Sequence, residues 1–208
     1  MMSAREALDR LRNGNRDFVA RMRGGDVALS DSRRAELPKD QNPFAIILGC
    51  SDARVPAEIV FNQGLGDLFV IRVAGNIVAP SQVGSVEFAA ARYDTALVVV
   101  LGHTQCGGIL ATLEALQQPS ASLSPGLKSI VDRVRPSVEP LFKTNLRNDL
   151  DSLVRQAVRT NVGVSVNHLR HASALIEQLI QEGKLAVVGA EYSLETGAVD
   201  FFDTAGAE

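Results

Sequence analysis

Four short apolar runs constrain the fold of this 208-residue chain more than any other feature. They are FAIILGC (44–50), DLFVIRVAG (67–75), TALVVVLGH (95–103) and LAVVGAEYS (185–193), and each is rich in apolar aliphatic residues. Nearly continuous apolar runs of this length are typical of strands that are buried on both faces, as in parallel sheets. Such a sheet needs helices on both faces, so the rest of the chain has to supply them.

Amphipathic segments before and between the runs predict those helices. The predicted helices cover 3–22, 81–93, 108–118 and most of 127–182. We expect Ser81 to cap the second of them, and we expect the long helical segment to break at Pro136 and Pro140. After the fourth apolar run, a turn at 195–197 predicts a final strand that returns antiparallel.

These elements predict an α/β fold with a mostly parallel central sheet of four strands plus an antiparallel C-terminal strand, flanked by helices. Residues 1–208 are predicted to form a single domain. Within it, residues 1–43 are predicted to form an N-terminal helical arm, because a helix is followed there by a polar segment containing glycine and proline.

The composition narrows the classes of function. The net charge of −3 and the pI near 5.7 give no reason to expect nucleic acid or an anionic membrane as a partner. No apolar run reaches the roughly 18 residues that a membrane span needs. The charged N-terminal segment lacks the apolar stretch of a secretory signal, and two cysteines do not make a disulfide framework. We therefore expect a cytoplasmic protein with reduced thiols.

The residues with the most distinctive chemistry follow two of the predicted strands. Cys50, Asp52 and Arg54 come at the end of the first strand, and His103 and Cys106 come at the end of the third. Sites in open α/β sheets lie beyond the carboxyl ends of the strands. If these two strands are neighbours in a parallel sheet, the five side chains meet at one edge.

Two thiolates and one imidazole are a donor set that suits zinc, which is borderline-soft and prefers tetrahedral sites. Three protein ligands leave one position open, which is typical of a catalytic rather than a structural site. Cys106 also precedes a predicted helix, and a helix N-terminus favours the thiolate. The residues alone leave an alternative open, in which Cys50 and Cys106 are buried structural cysteines and His103 is a core histidine. A disulfide between the two cysteines is a further alternative.

Asp52 and Arg54 have two interpretations as well. An exposed salt bridge would contribute little. Alternatively, Asp52 lies close enough in sequence to Cys50 to reach the metal itself, or to accept a proton from water at the open position. Arg54 would then keep Asp52 ionised and orient it. The pair would act as a switch that opens or closes the fourth metal position.

The motifs CSDARV and GHTQCGG together resemble the β-class carbonic anhydrases, whose pattern is Cys-x-Asp-x-Arg followed by His-x-x-Cys. The resemblance is close over roughly 40–110 and holds in outline elsewhere. It implies one zinc ion per chain held by Cys50, His103 and Cys106, with Asp52 and Arg54 gating the fourth position. It implies reversible hydration of carbon dioxide to bicarbonate and a proton by zinc-bound hydroxide.

The resemblance also implies substrate-binding roles for Gln41, Phe69 and the backbone N–H of Gly107. In the family such residues partly reach across a dimer interface, so it implies a homodimer or homotetramer, with the arm at 1–43 packing on a partner subunit. One departure concerns a regulatory bicarbonate site of some bacterial members, which a tryptophan lines. Ile47 stands at that position here, with Arg72 and Tyr192 at the companion positions, so we do not expect that site.

Other functions remain open at this point. The same scaffold can hydrolyse carbonyl sulfide or carbon disulfide, and a catalytically silent zinc-binding protein would keep the same ligands. A redox protein using Cys50 and Cys106 is a weaker alternative because the chain has no Cys-x-x-Cys pair. The remaining histidines, His168 and His171, are predicted to be surface or packing residues.

Overall fold

A computed structural model describes residues 2–24, 41–118 and 122–207 of the chain. Its strands are β1 (Ala45–Gly49), β2 (Leu68–Arg72), β3 (Leu97–His103), β4 (Ala186–Tyr192) and β5 (Val199–Asp203). They form one sheet in the order β2-β1-β3-β4-β5, in which the first four strands are parallel and β5 is antiparallel to β4. The predicted fold class is confirmed.

Helices precede and connect the strands. They are α1 (Ala4–Gly24), α2 (Ala57–Val60), α3 (Pro80–Tyr93), α4 (Gly107–Gln117), α5 (Pro125–Phe142), α6 (Leu150–Arg170) and α7 (Ala174–Gln181), with short 3-10 turns at Ala74–Asn76 and Asn145–Asn148. Among the helices that the structure describes, none is long and apolar enough to cross a membrane.

Two local predictions about these helices are wrong. Ser81 is not the N-cap of α3, because Pro80 already occupies the first turn and Ala79 is the capping residue; proline suits that position since its φ is fixed near the helical value. Pro136 and Pro140 do not break α5. Both prolines lie on its exposed face, where water can solvate the carbonyls that lose their partners, while the buried face keeps the helix packed.

Two core clusters lie on the two faces of the sheet, and a third packs α4, α5 and α6 together and includes Cys50 and Cys106. On one face, Leu8 and Leu11 of α1 pack in a cluster that includes Ile47 of β1. On the other face, Val162 and Val166 of α6 belong to a second cluster with Ile46, Leu48 and residues of α3. The apolar side of α1 is therefore buried in its own chain. Of the predicted arm, residues 25–40 lie outside the described residues.

The order of the strands brings together the end of β1, which Cys50 follows, and the end of β3, at His103. β1 lies directly beside β3, and their register runs from Ile46 opposite Val98 to Gly49 opposite Leu101. Both strands point the same way, so the chain leaves β1 and β3 at the same edge of the sheet. The prediction that these strands are parallel neighbours is confirmed.

Candidate metal centre

The first half of the site is the β1 loop, which we define as residues 50–54. Cys50 follows the last residue of β1 and is buried, with 5% of its surface exposed. The loop then turns back on itself, because the N–H of Val55 donates to the carbonyl of Asp52 at 3.1 Å. Asp52 is half-buried and Arg54 is exposed. The chain therefore keeps its thiol inside and its two charges at the edge of the site.

The second half is the β3 loop, residues 103–106. His103 is the last residue of β3 and is fully buried. Gln105 adopts a left-handed conformation with φ of 56°, which turns the chain sharply enough for Cys106 to become the N-cap of α4. Cys106 is also buried. The thiol of Cys106 therefore lies at a helix N-terminus, as predicted.

The structure brings Cys50, His103 and Cys106 into one cluster. Their potential ligand atoms all lie within 4.8 Å of one another. Ligands that bind a tetrahedral zinc ion at its usual bond lengths lie about 3.3–3.8 Å apart, so a small contraction of this cluster would suit the ion. No disulfide joins the two cysteines, which are both free thiols.

The environment of His103 also fits a metal ligand. Its Nδ1 lies 2.8 Å from the carbonyl oxygen of Thr104. Because a carbonyl can only accept, Nδ1 carries the hydrogen and Nε2 presents its lone pair to the cluster. That Nε2 is buried and has no hydrogen-bond partner among the residues that the structure describes. A buried polar atom without a partner is costly, and a metal ion bound by the two sulfurs would supply the partner.

The ionisation of the cluster is strongly coupled. The hydrogen bond from Cys106 lowers the pKa of the Cys50 thiol to about 4, and the same interaction raises the pKa of Cys106. Burial lowers the pKa of His103, but the nearby Cys50 sulfur and the Thr104 carbonyl raise it by more, so the net shift is upward. The contact between the two thiols therefore favours Cys50 as the thiolate, and a divalent cation would displace the remaining proton.

Asp52 and Arg54 form a tight pair beside this cluster. The Arg54 Nη2 donates to Asp52 Oδ2 at 2.8 Å, and both Nε and the backbone N–H of Arg54 donate to Oδ1, at 2.9 and 3.0 Å. These hydrogen bonds from Arg54 hold the pKa of Asp52 well below its usual range. Asp52 Oδ2 also lies 3.9 Å from His103 Nε2. An ionised carboxylate thus lies beside the three candidate ligands.

Two further residues brace the loops, and sequence reasoning gave neither of them this role. Arg72, at the end of β2, donates to the backbone carbonyls of Cys50 and Asp52. Glu195 accepts hydrogen bonds from Thr104 Oγ1 at 2.9 Å and from Gln105 Nε2 at 2.8 Å. The turn that contains Glu195 was predicted, but its contact with a loop about 90 residues earlier has no local signal.

Of the three predicted substrate-binding residues, only Gly107 lies at the cluster. It is exposed at the start of α4, and a Cβ added there would meet nothing within 4 Å, so there is open space beside its backbone. Phe69 instead pairs with Ile46, four residues before Cys50, which places it about 13 Å away along the strand. Gln41 donates to the hydroxyl of Tyr93 at 2.6 Å, and Phe69 packs against the same tyrosine.

The residues at the positions of the regulatory bicarbonate site have other contacts. Ile47 is fully buried in β1 and belongs to the core. Arg72 directs its guanidinium to the β1 loop, and Tyr192 is buried opposite His103 in the sheet. The two remaining histidines, His168 and His171, are exposed, as predicted.

Comparison with known proteins adds to this geometry. A family model described as "Carbonic anhydrase" matches residues 45–199. The chain is 40% identical over 192 residues to a carbonic anhydrase of Mycolicibacterium smegmatis, covering 91% of this chain and 89% of the relative. It is 39% identical over 189 residues to carbonic anhydrase 2 of Mycobacterium tuberculosis, covering 90% and 87%. The chain belongs to the β-class carbonic anhydrase family.

Solved structures of this family share the fold. The β-carbonic anhydrase CafA of Aspergillus fumigatus matches with a TM-score of 0.73 at 25% identity, covering 94% of this chain and 89% of that chain. One of two tetrameric β-carbonic anhydrases from Sordaria macrospora matches with a TM-score of 0.71 at 22% identity, covering 91% and 93%. The sheet and its flanking helices are therefore those of the β-carbonic anhydrases.

Proposed function

We propose that this protein is a zinc-dependent carbonic anhydrase that catalyses the reversible hydration of carbon dioxide to bicarbonate and a proton. One observation carries the proposal: in a chain of the carbonic anhydrase family, three buried ligand atoms converge beside a carboxylate that Arg54 keeps ionised. The converging residues are Cys50, His103 and Cys106. A structural site would need no ionised carboxylate at its open side.

Zinc, one ion per chain, would be held by Cys50 Sγ, His103 Nε2 and Cys106 Sγ. When bound, zinc lowers the pKa of a coordinated water to near neutrality and so supplies the nucleophile for the hydration. The protein contributes the geometry of the three donors and leaves the fourth position facing Asp52. Buried sulfur and imidazole donors without a fourth protein ligand are the arrangement that this chemistry needs.

The roles of Asp52 and Arg54 follow from their contacts. In the arrangement described above, Arg54 engages both carboxylate oxygens of Asp52, so Asp52 is held away from the fourth position. From there its Oδ2 accepts the hydrogen bond of the attacking water and orients the lone pair of that water toward carbon dioxide. If Asp52 released Arg54 and turned inward, its carboxylate would be able to occupy the fourth position in place of water and would then stop turnover. We propose that this exchange is the gate.

Substrate binding would involve groups from two subunits. Gly107 has an exposed backbone beside open space, which suits an N–H donor to a bicarbonate oxygen. Gln41 and Phe69 lie too far along the sheet from their own Cys50 to serve the same site, so we propose that they serve the site of a partner subunit. Their neighbour Phe88 is 54% exposed and packs with Phe69 and Tyr93, which gives this face an apolar surface for a second copy.

A homodimer is therefore the smallest assembly that we propose, and a tetramer is consistent with the two tetrameric relatives from Sordaria macrospora. The apolar side of α1 is already buried in its own chain. We propose that the arm at 1–43 packs on a partner subunit, and within its described residues the outer side of α1 is the surface left for that contact. We also propose that the protein acts in the cytoplasm and binds neither nucleic acid nor membranes, as its charge and composition predict.

The deciding experiment combines stopped-flow carbon dioxide hydration with metal analysis of the same sample. We expect about one zinc per chain and a turnover that rises with pH, because the attacking water would have to lose its proton and the resulting hydroxide would compete with Asp52 for the fourth position. A folded preparation that carries no metal as purified and takes up none when zinc is supplied would contradict the proposal, and a flat profile from about pH 6 to 9 would contradict the proposed gate. Release of sulfide from carbonyl sulfide or carbon disulfide, with slow hydration of carbon dioxide, would favour the related hydrolase. Zinc without either activity would indicate a silent binding protein.

A further inference from the structure

A buried polar network connects the metal cluster to the helices behind it. The backbone N–H of Gly75 donates to Cys50 Sγ at 3.4 Å, and this contact is buried. Gly75 has a φ of 71° and the next residue, Asn76, has a φ of 42°. Two consecutive left-handed residues turn the backbone so that an N–H faces the sulfur, a conformation that costs energy at a non-glycine position. Something has to hold the segment in this conformation.

The network that holds it comes from α6. Asn161 Nδ2 donates to the carbonyl of Gly75 at 2.9 Å, and Ser165 Oγ donates to the carbonyl of Asn76 at 3.1 Å. Ser137 of α5 donates to Asn161 Oδ1 at 2.9 Å, which fixes the orientation of the amide. Each carbonyl can only accept, so these hydrogen bonds fix both peptide planes that follow Gly75.

Burying these polar side chains costs free energy. Asn161 is 2% exposed and Ser165 is 5% exposed, and both lie on the buried side of α6 among valines. An apolar residue could fill either position without the cost of burying a polar group. A buried network in which Asn161, Ser165 and Ser137 each have a partner instead specifies one conformation of what it contacts, and what this network contacts is the segment that donates to Cys50.

We propose that Asn161, assisted by Ser165, is a positioning residue for the metal: it fixes Gly75 so that its N–H donates to Cys50 Sγ. An N–H···S hydrogen bond withdraws electron density from a thiolate, so the sulfur donates less charge to the metal. Two thiolate ligands otherwise neutralise a divalent ion. By limiting this neutralisation, the network keeps the ion acidic enough to activate water near neutral pH. The inference rests on the proposed function and extends its site into the protein interior.

The test uses Asn161→Leu, which keeps the number and branching of the side-chain heavy atoms but removes both hydrogen bonds, and Ser165→Ala, a milder change should Asn161→Leu not fold. Val166→Ala is the matched control. It removes buried volume from the same helix, and the valine side chain has no polar atom that could hydrogen-bond to Gly75. The proteins are loaded with cobalt(II), and the sulfur-to-cobalt charge-transfer band is recorded. Zinc-loaded samples are assayed for hydration across pH.

We expect the charge-transfer band of Asn161→Leu to move to longer wavelength, since an N–H donor stabilises the sulfur electrons. We also expect turnover below neutral pH to fall about tenfold while the plateau at high pH is kept, in line with other partners of metal ligands. Ser165→Ala should move both readouts in the same direction by less, and Val166→Ala should move neither.

An unshifted band and an unshifted pH profile in both Asn161→Leu and Ser165→Ala would overturn the inference. So would equal shifts in Val166→Ala, because a general loss of packing would then explain them. A parent protein that binds zinc and hydrates carbon dioxide normally while the variants remain unshifted would leave the proposed function intact and reject this role of Asn161 alone. A parent protein without bound metal would reject both.

Discussion

The two loops that carry the candidate ligands are held in place in different ways. The β1 loop is clamped through its backbone and its sulfur, by Arg72 on the carbonyls of Cys50 and Asp52 and by the N–H of Gly75 on Cys50. The β3 loop is held mainly through its side chains, by the carboxylate of Glu195 on Thr104 and Gln105, with one backbone hydrogen bond from the N–H of Thr104 to the carbonyl of Tyr192 at 3.0 Å. It then continues directly into α4.

The difference corresponds to what each loop has to do. The β3 loop supplies two candidate ligands and contains no group that has to move. The β1 loop supplies one ligand together with Asp52. The Asp52 side chain is 18% exposed, and the hydrogen bonds described above to its carboxylate oxygens all come from Arg54. Clamping the backbone keeps the sulfur in place while the carboxylate beside it can still turn. The five residues of the β1 loop thus combine a buried, clamped thiol with a partly exposed carboxylate.

Removing a ligand is expected to have the largest effect. Cys106→Ser and Cys50→Ser should each lower turnover on the order of 10³-fold, because the metal contributes several kcal/mol to the reaction. Zinc content should fall further in Cys106→Ser, since Cys50→Ser leaves two donors on one rigid turn. Metal analysis after dialysis against a mild chelator measures this difference. If Cys106→Ser retained more zinc than Cys50→Ser, the β3 loop would not contribute more to zinc binding than the β1 loop.

Changing the gate should separate catalysis from metal binding. Asp52→Asn should lower turnover about 100-fold, the effect expected for a lost proton acceptor, and Arg54→Gln should lower it in the same direction. Zinc content should stay close to that of the parent in both, because neither side chain is one of the three converging donors. Stopped-flow hydration and metal analysis on one sample measure both quantities. A parallel loss of zinc would mean that the pair supports the structure rather than the reaction.

Loosening the β3 loop should have a smaller effect. Glu195→Ala removes the acceptor of Thr104 and Gln105, so we expect zinc affinity to fall about tenfold, as for other residues that orient metal ligands. Competition with a chromophoric chelator measures the affinity. Glu182→Ala is the matched control, because Glu182 is an exposed glutamate that pairs with Lys184 at the opposite end of β4. Equal affinities in the two variants would contradict a bracing role for Glu195.

The sequence predicted those parts of the molecule that depend on local pattern or on strand ends. Continuous apolar runs predicted the parallel strands, and the position of Cys50, His103 and Cys106 after two such runs predicted that they meet. The two wrong predictions also concern local features, namely where α3 begins and whether α5 continues past its prolines. Pro80 decided where α3 begins, which the prediction assigned to Ser81, and the exposure of Pro136 decided that α5 continues.

The bracing residues could not be predicted because their roles exist only in the folded chain. Glu195 reaches a loop about 90 residues away, and Arg72 contacts backbone carbonyls, which any sequence provides. Asn161 left a faint signal, since a polar residue on the apolar side of a predicted helix needs a partner. The partner itself, the carbonyl of Gly75, lies 86 positions earlier. The prediction that Gln41 and Phe69 bind substrate stays open until an assembly is characterised.

The smallest effect that we expect is a difference in pH dependence between the two loops. The hydrogen bonds of Arg54 depress the pKa of Asp52, and hydrogen bonds from its own backbone and from Thr104 depress that of Glu195. A depressed pKa in the folded state stabilises the fold above the unfolded pKa, near 4 for carboxyl groups, and this stabilisation is lost as the pH falls through the folded pKa.

The depression is deeper for Asp52, so its contribution should persist to a lower pH than that of Glu195. The measurement compares thermal unfolding of the parent with Asp52→Asn and with Glu195→Gln from about pH 6 down to about pH 2.5, in chelator. Cys50 and Cys106 belong to a third core cluster, but the two clusters on the faces of the sheet contain none of the candidate ligands, so we expect the chain to stay folded in chelator. Each variant should be less stable than the parent at pH 6, and the difference should vanish first for Glu195→Gln. The reverse order would show that the β1 loop, and not the β3 loop, holds its carboxylate the more loosely.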